Sequence, residues 1–226
     1  MVALASTHIG QCRPHENCPP IGHLPHQTAG ITRAADLTWL DDLGIPTVQA
    51  VRPASLTLSV SQGKATSYRA AQVSAVMESM ENWHCENITP DLLATATTDL
   101  ESTLTYDIAT LRRPAKSLFH PGAKIDWMVA TTLLTGRQTW VPWTAVSVNI
   151  AVSDGWGPPM FSMDTTGLAS GNSYHEATLH ALYEIMERHA VAIGAPGSGR
   201  KPASDRPSRH LGRLLLLRGR TDLTND

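Results

Sequence analysis

Apolar residues recur along this chain with two different periods, and each change of period marks a change of element. Between residues 30 and 60 the apolar runs are short and bounded by Gly or Pro. Residues 31–40 alternate in part, and 45–51 and 56–60 read as strands. From 67 to 87 the spacing becomes helical, with Val73, Val76, Met77, Met80 and Trp83 on one stripe. A second stripe, Leu179, Leu182, Tyr183, Met186 and Ala190, predicts a helix over 173–193. Between the helices, 91–111 is polar and reads as helix or loop. Runs at 125–134 and 138–141 flank the turn Thr135-Gly136-Arg137 and predict a β-hairpin, with Trp140 and Trp143 as sheet packing. Irregular alternation and a hairpin give the expected class: α+β, a mixed, largely antiparallel sheet with packed helices.

The ends read differently. Residues 1–29 hold Pro14, Pro19, Pro20 and Pro25 among His8, His15, His23 and His26, which suits a proline- and histidine-rich arm. Cys12 and Cys18 lie there at a spacing that fits no standard zinc module. Residues 196–226 carry seven Lys/Arg against three Asp, with no strand run, and are expected to be a disordered tail. That leaves residues 30–195 as the domain.

Inside the two helices a second pattern overlies the apolar one. Residues 71–82 and 177–188, offset by 106, agree at five of twelve positions: Ala71/Ala177, Ala75/Ala181, Glu78/Glu184, Met80/Met186 and Glu81/Glu187. Residues at i, i+4 and i+7 share a helix face. Ser74, Glu78 and Glu81 thus form one polar cluster, and His180, Glu184 and Glu187 its twin. A single Glu-x-x-Glu is ordinarily a solvated face. Here each pair sits at the edge of its apolar stripe, and the arrangement occurs twice. Four carboxylates brought together repel unless a cation lies among them, and hard oxygen ligands suit Mg²⁺ bridging to nucleotide phosphates. Ser59-Val60-Ser61-Gln62-Gly63-Lys64 ahead of the first helix reads as a strand and a Gly-Lys turn, in which Lys64 is a candidate phosphate contact or a plain loop lysine. It lacks the P-loop spacing.

Composition narrows the classes. At 226 residues, 42% hydrophobic and net charge −2, the chain can bury a core and has no basic field for nucleic acid. The run 214–217 is too short to cross a bilayer, the N-terminus lacks a secretory pattern, and three cysteines make no disulfide framework, so the cytoplasm is the default.

The order of motifs resembles the YcaO family. Gly30-Ile31-Thr32-Arg33-Ala34-Ala35-Asp36-Leu37-Thr38, Gly44-Ile45-Pro46-Thr47-Val48-Gln49-Ala50-Val51-Arg52-Pro53 and Leu58-Ser59-Val60-Ser61-Gln62-Gly63-Lys64 look like its start. Ser74-x-x-x-Glu78-x-x-Glu81 with Trp83-His84, and Gly167-Leu168-Ala169-Ser170-Gly171-Asn172 leading to Glu184-x-x-Glu187-Arg188, continue it over about residues 7–193. The form around residues 81–86 is most similar to the branch that partners TfuA proteins in thioamide formation. The resemblance implies an ATP- and Mg²⁺-dependent enzyme that phosphorylates a peptide-backbone amide oxygen, so that a nucleophile gives a thioamide or an azoline. It implies Glu78, Glu81, Glu184 and Glu187 as metal ligands, with Lys64, Ser74, His180 and Arg188 also at the nucleotide, and it names no catalytic residue. A peptide or protein substrate, a TfuA-like protein and a second copy of the chain are the candidate partners.

Asn82 and Ala65 depart from the family's usual arginine and glycine, and the sequence past Ala195 has no counterpart of its C-terminal half. A truncated, non-catalytic homologue or accessory subunit is therefore the alternative. A carboxylate-bridged di-metal helical protein is the third reading, but such a site needs Glu-x-x-His twice and the chain offers only Glu81-Asn82-Trp83-His84.

Overall fold

In the computed structural model, residues 2–6, 29–150, 160–194 and 215–218 are described. They form two sheets, each with one long helix against it. The first strand, β1 (Val2–Ser6), belongs to the larger sheet; the smaller sheet is an antiparallel meander of β2 (Arg33–Asp36), β3 (Thr47–Val51) and β4 (Val60–Lys64), in the order β2-β3-β4. Alternation on β3 buries Val48 and Ala50, and these pack with Ala71, Ala75, Val76 and Met80 of helix α1 (Tyr68–Asn87). Helix α1 starts where the sequence places it, because Ser67 caps it by accepting a bond from Ala70 N–H at 3.3 Å.

The larger sheet holds β1 (Val2–Ser6), β5 (Leu92–Ala96), β6 (Lys124–Thr132), β7 (Gln138–Pro142), β8 (Leu168–Ser170) and β9 (Leu215–Arg218). Its order is β5-β6-β9-β1-β8, with β7 paired to β6. A four-residue helix, α2 (Thr97–Leu100), follows β5. Strands β1/β8 and β1/β9 pair parallel, while β5/β6, β6/β7 and β6/β9 pair antiparallel, so the mixed α+β class holds. Helix α3 (Tyr174–Gly194) buries Ala177, Ala181 and Ile185 in a cluster with Ala169 of β8.

Five expectations need correcting. Residues 91–111, expected as helix or loop, open with strand β5, which pairs with β6. The arm at 1–29 contributes a strand, β1, and its last residue, Ala29, is buried; residues 7–28, with their cysteines and histidines, lie outside the described residues. The tail contributes β9, so it is not without a strand. Leucines uninterrupted by charge suit a strand flanked on both sides, as β9 is by β6 and β1. The remainder of 196–226 also lies outside the described residues. The third strand of the meander begins at Val60, where residues 56–60 were expected to end one, so Gly63-Lys64 is strand and not turn. Finally, the apolar stripe of α3 is not its buried face. Leu179, Tyr183, Met186 and Ala190 are exposed, and the small residues Ala177 and Ala181 take the sheet-facing side because they allow close approach.

Candidate nucleotide and metal site

Gly63 fixes how close α1 lies to its sheet. A Cβ there would stand 2.0 Å from the Ala71 carbonyl oxygen, 2.3 Å from Ala75 N and 2.8 Å from Ser74 Cβ. Without a side chain, β4 passes directly under the first turns of α1. Gln62 N–H then reaches up to Glu78 Oε2 at 3.1 Å, and Lys64, the next residue on the same strand face, lowers the Glu78 pKa by its charge. Gly171 does the corresponding service for α3: a Cβ there would lie 2.6 Å from Ala177 N. Ser173 caps that helix by accepting from Glu176 N–H at 3.2 Å.

Segment 164–170 joins the two halves. Asp164 accepts from Thr166 N–H at 2.8 Å, and Leu168 N–H closes the turn on Thr165 O at 3.0 Å, with Gly167 at φ +85° in the position that needs a positive φ. This turn aims Gly167 N–H at Glu184 Oε2, 2.8 Å away. The hydroxyls of Thr166 and Thr165 accept from Arg188 at 3.1 and 3.4 Å, and Arg188 pairs with Glu184 Oε1 at 2.6 Å. Three residues on, Ser170 meets Glu81 Oε1 with both its N–H (2.7 Å) and its hydroxyl (2.5 Å). A bond from β8 to α1 thus spans 89 residues of sequence.

The electrostatics follow from that geometry. Burial raises the Glu81 pKa to about 7, against the two Ser170 bonds and with the charges of Glu78 and Glu184 adding to the rise. Partial desolvation and the Glu184 charge raise Glu78, opposed by Gln62 N–H and Lys64. Glu78, Glu81 and Glu184 therefore act on one another as one acidic cluster. Glu187 and His180 do not figure among the charges that shift Glu78 and Glu81, and both are exposed on α3. Ser74 is exposed beside Gly63 on the cluster's flank. Of the eight residues singled out in the sequence, Lys64, Glu78, Glu81 and Glu184 lie close enough for charge to act between them, Arg188 is paired to Glu184, and Ser74 lies against Gly63, while His180 and Glu187 are exposed on α3.

Among the described residues no group of three His, Cys, Asp or Glu is arranged to hold a metal ion unaided. His84, whose pKa burial lowers, packs edge-on against Trp83 at 5.1 Å. Mg²⁺ at a nucleotide site is usually held by one or two carboxylates together with phosphates, a role that Glu78 and Glu81 could fill. Glu81 Oε2 and Glu78 Oε1 are the oxygens left over by the bonds above, and a cation there would offset the desolvation that chiefly raises both groups and the neighbouring carboxylate charge that adds to it.

Sequence reasoning missed the supports of this cluster: Gln62, Thr165, Thr166, Gly167 and Ser170. The glycines around 167–171 signalled close approach, but backbone donors leave no residue-type signature. It also missed a buried network under the C-terminal end of α1. Arg52 grips Glu86 with two bonds, at 2.5 and 2.7 Å, their side chains only 4% and 1% exposed. Burial would raise Glu86, but Arg52, Thr57 and Ser55 together hold it down at about 2.

A sequence model of the YcaO cyclodehydratase, ATP- and Mg²⁺-binding family matches residues 62–220, and the chain belongs to that family. The match runs past the change of composition at Pro196. A protein of Mycobacterium tuberculosis (strain H37Rv) is 74% identical over 169 residues, covering 75% of this chain and 38% of that protein. A protein encoded 3′ of tfuA in Rhizobium leguminosarum bv. trifolii is 40% identical over 174 residues, covering 75% and 40%. The chain spans less than half the length of these curated relatives. Among solved structures, YcaO from Methanopyrus kandleri bound with AMPPCP and Mg²⁺ shares the fold with a TM-score of 0.51 at 23% identity, covering 74% of this chain and 40% of that one. A heterocyclase in complex with substrate and cofactor gives 0.60 at 17%, covering 81% and 29%. ATP and Mg²⁺ are the ligands that characterise the family.

Proposed function

We propose that the acidic cluster of α1 and α3 holds Mg²⁺ and the phosphates of ATP in an enzyme that activates a backbone amide of a peptide or protein. The observation that carries this reading is that one segment bonds Glu81 of α1 through Ser170 and Glu184 of α3 through Gly167 N–H, with Glu78 held by Gln62 N–H and Arg188 paired to Glu184. When bound, Mg²⁺ and ATP supply an electrophilic phosphoryl group whose charge is offset, and its transfer turns the amide oxygen into a leaving group. Glu78 and Glu81 each keep one oxygen toward the cation while a protein N–H holds the other. Glu184 has both oxygens engaged, so its part is to orient Arg188, which can face phosphate from α3 as Lys64 can from strand β4.

The preferred product is a thioamide. Sulfide adds at the activated carbon and the oxygen departs as phosphate; an azoline would instead need a Cys, Ser or Thr side chain of the substrate as nucleophile. The relative encoded beside tfuA supports the thioamide branch and a TfuA-like partner. Among the described residues no helix is long and apolar enough to cross a membrane, which accords with a cytoplasmic site of action.

The test is incubation of the chain with ATP, Mg²⁺, sulfide, a TfuA-like protein and a candidate peptide. Peptide-dependent release of ADP is expected, with a peptide mass reflecting exchange of oxygen for sulfur. Loss of one water would assign the azoline product. Equal Mg²⁺-dependent nucleotide affinity in the wild type and Glu184→Gln would take Glu184 out of the site.

A further inference from the structure

Ser170 ties a carboxylate of α1, Glu81, to the segment that orders the carboxylate of α3. Its hydroxyl and N–H both end on Glu81 Oε1, leaving Oε2 without a partner among the described residues. Ser170 is itself buried on β8, at 6% exposure. Its backbone is fixed from both sides in sequence: Leu168 and Ala169 are paired in register with Leu4 and Ala5 of β1, and Gly171 is pressed against the first turn of α3. The same short segment sets Glu184 through Gly167 N–H and Arg188 through Thr165 and Thr166. A movement of this segment would shift the carboxylates of α1 and α3 together.

From this geometry we infer that Ser170 is a positioning residue for the cation, acting through Glu81. It occupies Oε1 so that Oε2 alone faces the metal, and it makes the spacing between the α1 and α3 carboxylates depend on the 164–170 segment. A buried carboxylate with one free rotation would otherwise be free to turn either oxygen, or both, toward its acidic neighbours. Partners that orient a metal-binding carboxylate contribute roughly 10- to 100-fold to metal affinity. Ser170 retains its N–H in any variant, so loss of the hydroxyl removes one of two bonds and the low end of that range applies.

The inference rests on the proposed function and is tested apart from turnover. Affinity of the full chain for AMPPCP is measured by calorimetry with Mg²⁺ and again with EDTA, and the ratio of the two is the readout. Ser170→Ala is expected to lower that ratio by about 10-fold while binding in EDTA stays unchanged. Ser170→Cys keeps the volume with a poor donor and should behave as Ala does, which guards against a folding defect in either variant. Ser170→Thr restores the hydroxyl and should recover the ratio. A ratio unchanged in Ala and Cys, or affinity lost equally with and without Mg²⁺, overturns the assignment. Absence of any Mg²⁺-dependent binding by the wild type instead removes the nucleotide reading itself, and the role of Ser170 with it.

Discussion

Helices α1 and α3 carry the same five residues at the same spacing, yet only some of those residues have the same fate. The alanines agree: Ala71, Ala75, Ala177 and Ala181 are all fully buried, each pair against a strand whose nearby glycine admits the helix backbone. The methionines do not. Met80 is 3% exposed in the core under the meander, and Met186 is 57% exposed. The second glutamates differ as sharply, since Glu81 is bonded to Ser170 and shifted to about 7 while Glu187 stands exposed. Small residues fix where a helix touches its sheet, because close approach tolerates nothing larger. Further along, the outcome depends on what else reaches that helix. Helix α1 meets β3, β4 and β8, whereas α3 meets β1 and β8.

The sharpest way to break this contrast uses the two ion pairs. Arg52→Ala leaves Glu86 charged in a buried site and is expected to cost about 3–5 kcal/mol in urea unfolding. Arg188→Ala removes a half-exposed i,i+4 pair and should cost about 0–1 kcal/mol. Comparable costs would mean that α1 is no better anchored than α3.

The methionines offer the next test. Met80→Ala should destabilise by roughly 2–4 kcal/mol, since it opens a cavity among Val48, Ala75 and Val76, and Met186→Ala should stay within about 0.5 kcal/mol. A large cost at Met186 would place a partner surface on the exposed face of α3.

The smallest effect is a pH slope, measured with EDTA present. The folded protein keeps a proton on Glu81 up to about pH 7, whereas a free glutamate loses it near 4.5. Between those values the folded state binds more protons than the unfolded chain, so stability falls as pH rises through that window. Glu81→Gln should flatten the slope. A slope insensitive to Glu81→Gln would show that its carboxylate is not held desolvated.

Much of this protein was legible in the residue pattern. Helical spacing set α1 to within a residue, alternation set β3, and the turn at Gly136 set the β6–β7 hairpin, because each depends on interactions within a few residues. Doubled Glu-x-x-Glu pointed to a carboxylate cluster for the same reason: the helix itself places those side chains on one face. Tertiary structure alone decided what each carboxylate meets. Glu81 is bonded to Ser170, 89 positions away, whereas Glu187 stands exposed on α3. It also decided that Gly63 serves helix packing rather than a turn, and that the leucines near the end of the chain pair with β6 and β1. Local spacing fixes which face a side chain leaves a helix from; burial, and with it charge state and chemistry, is set by whichever distant segment covers that face.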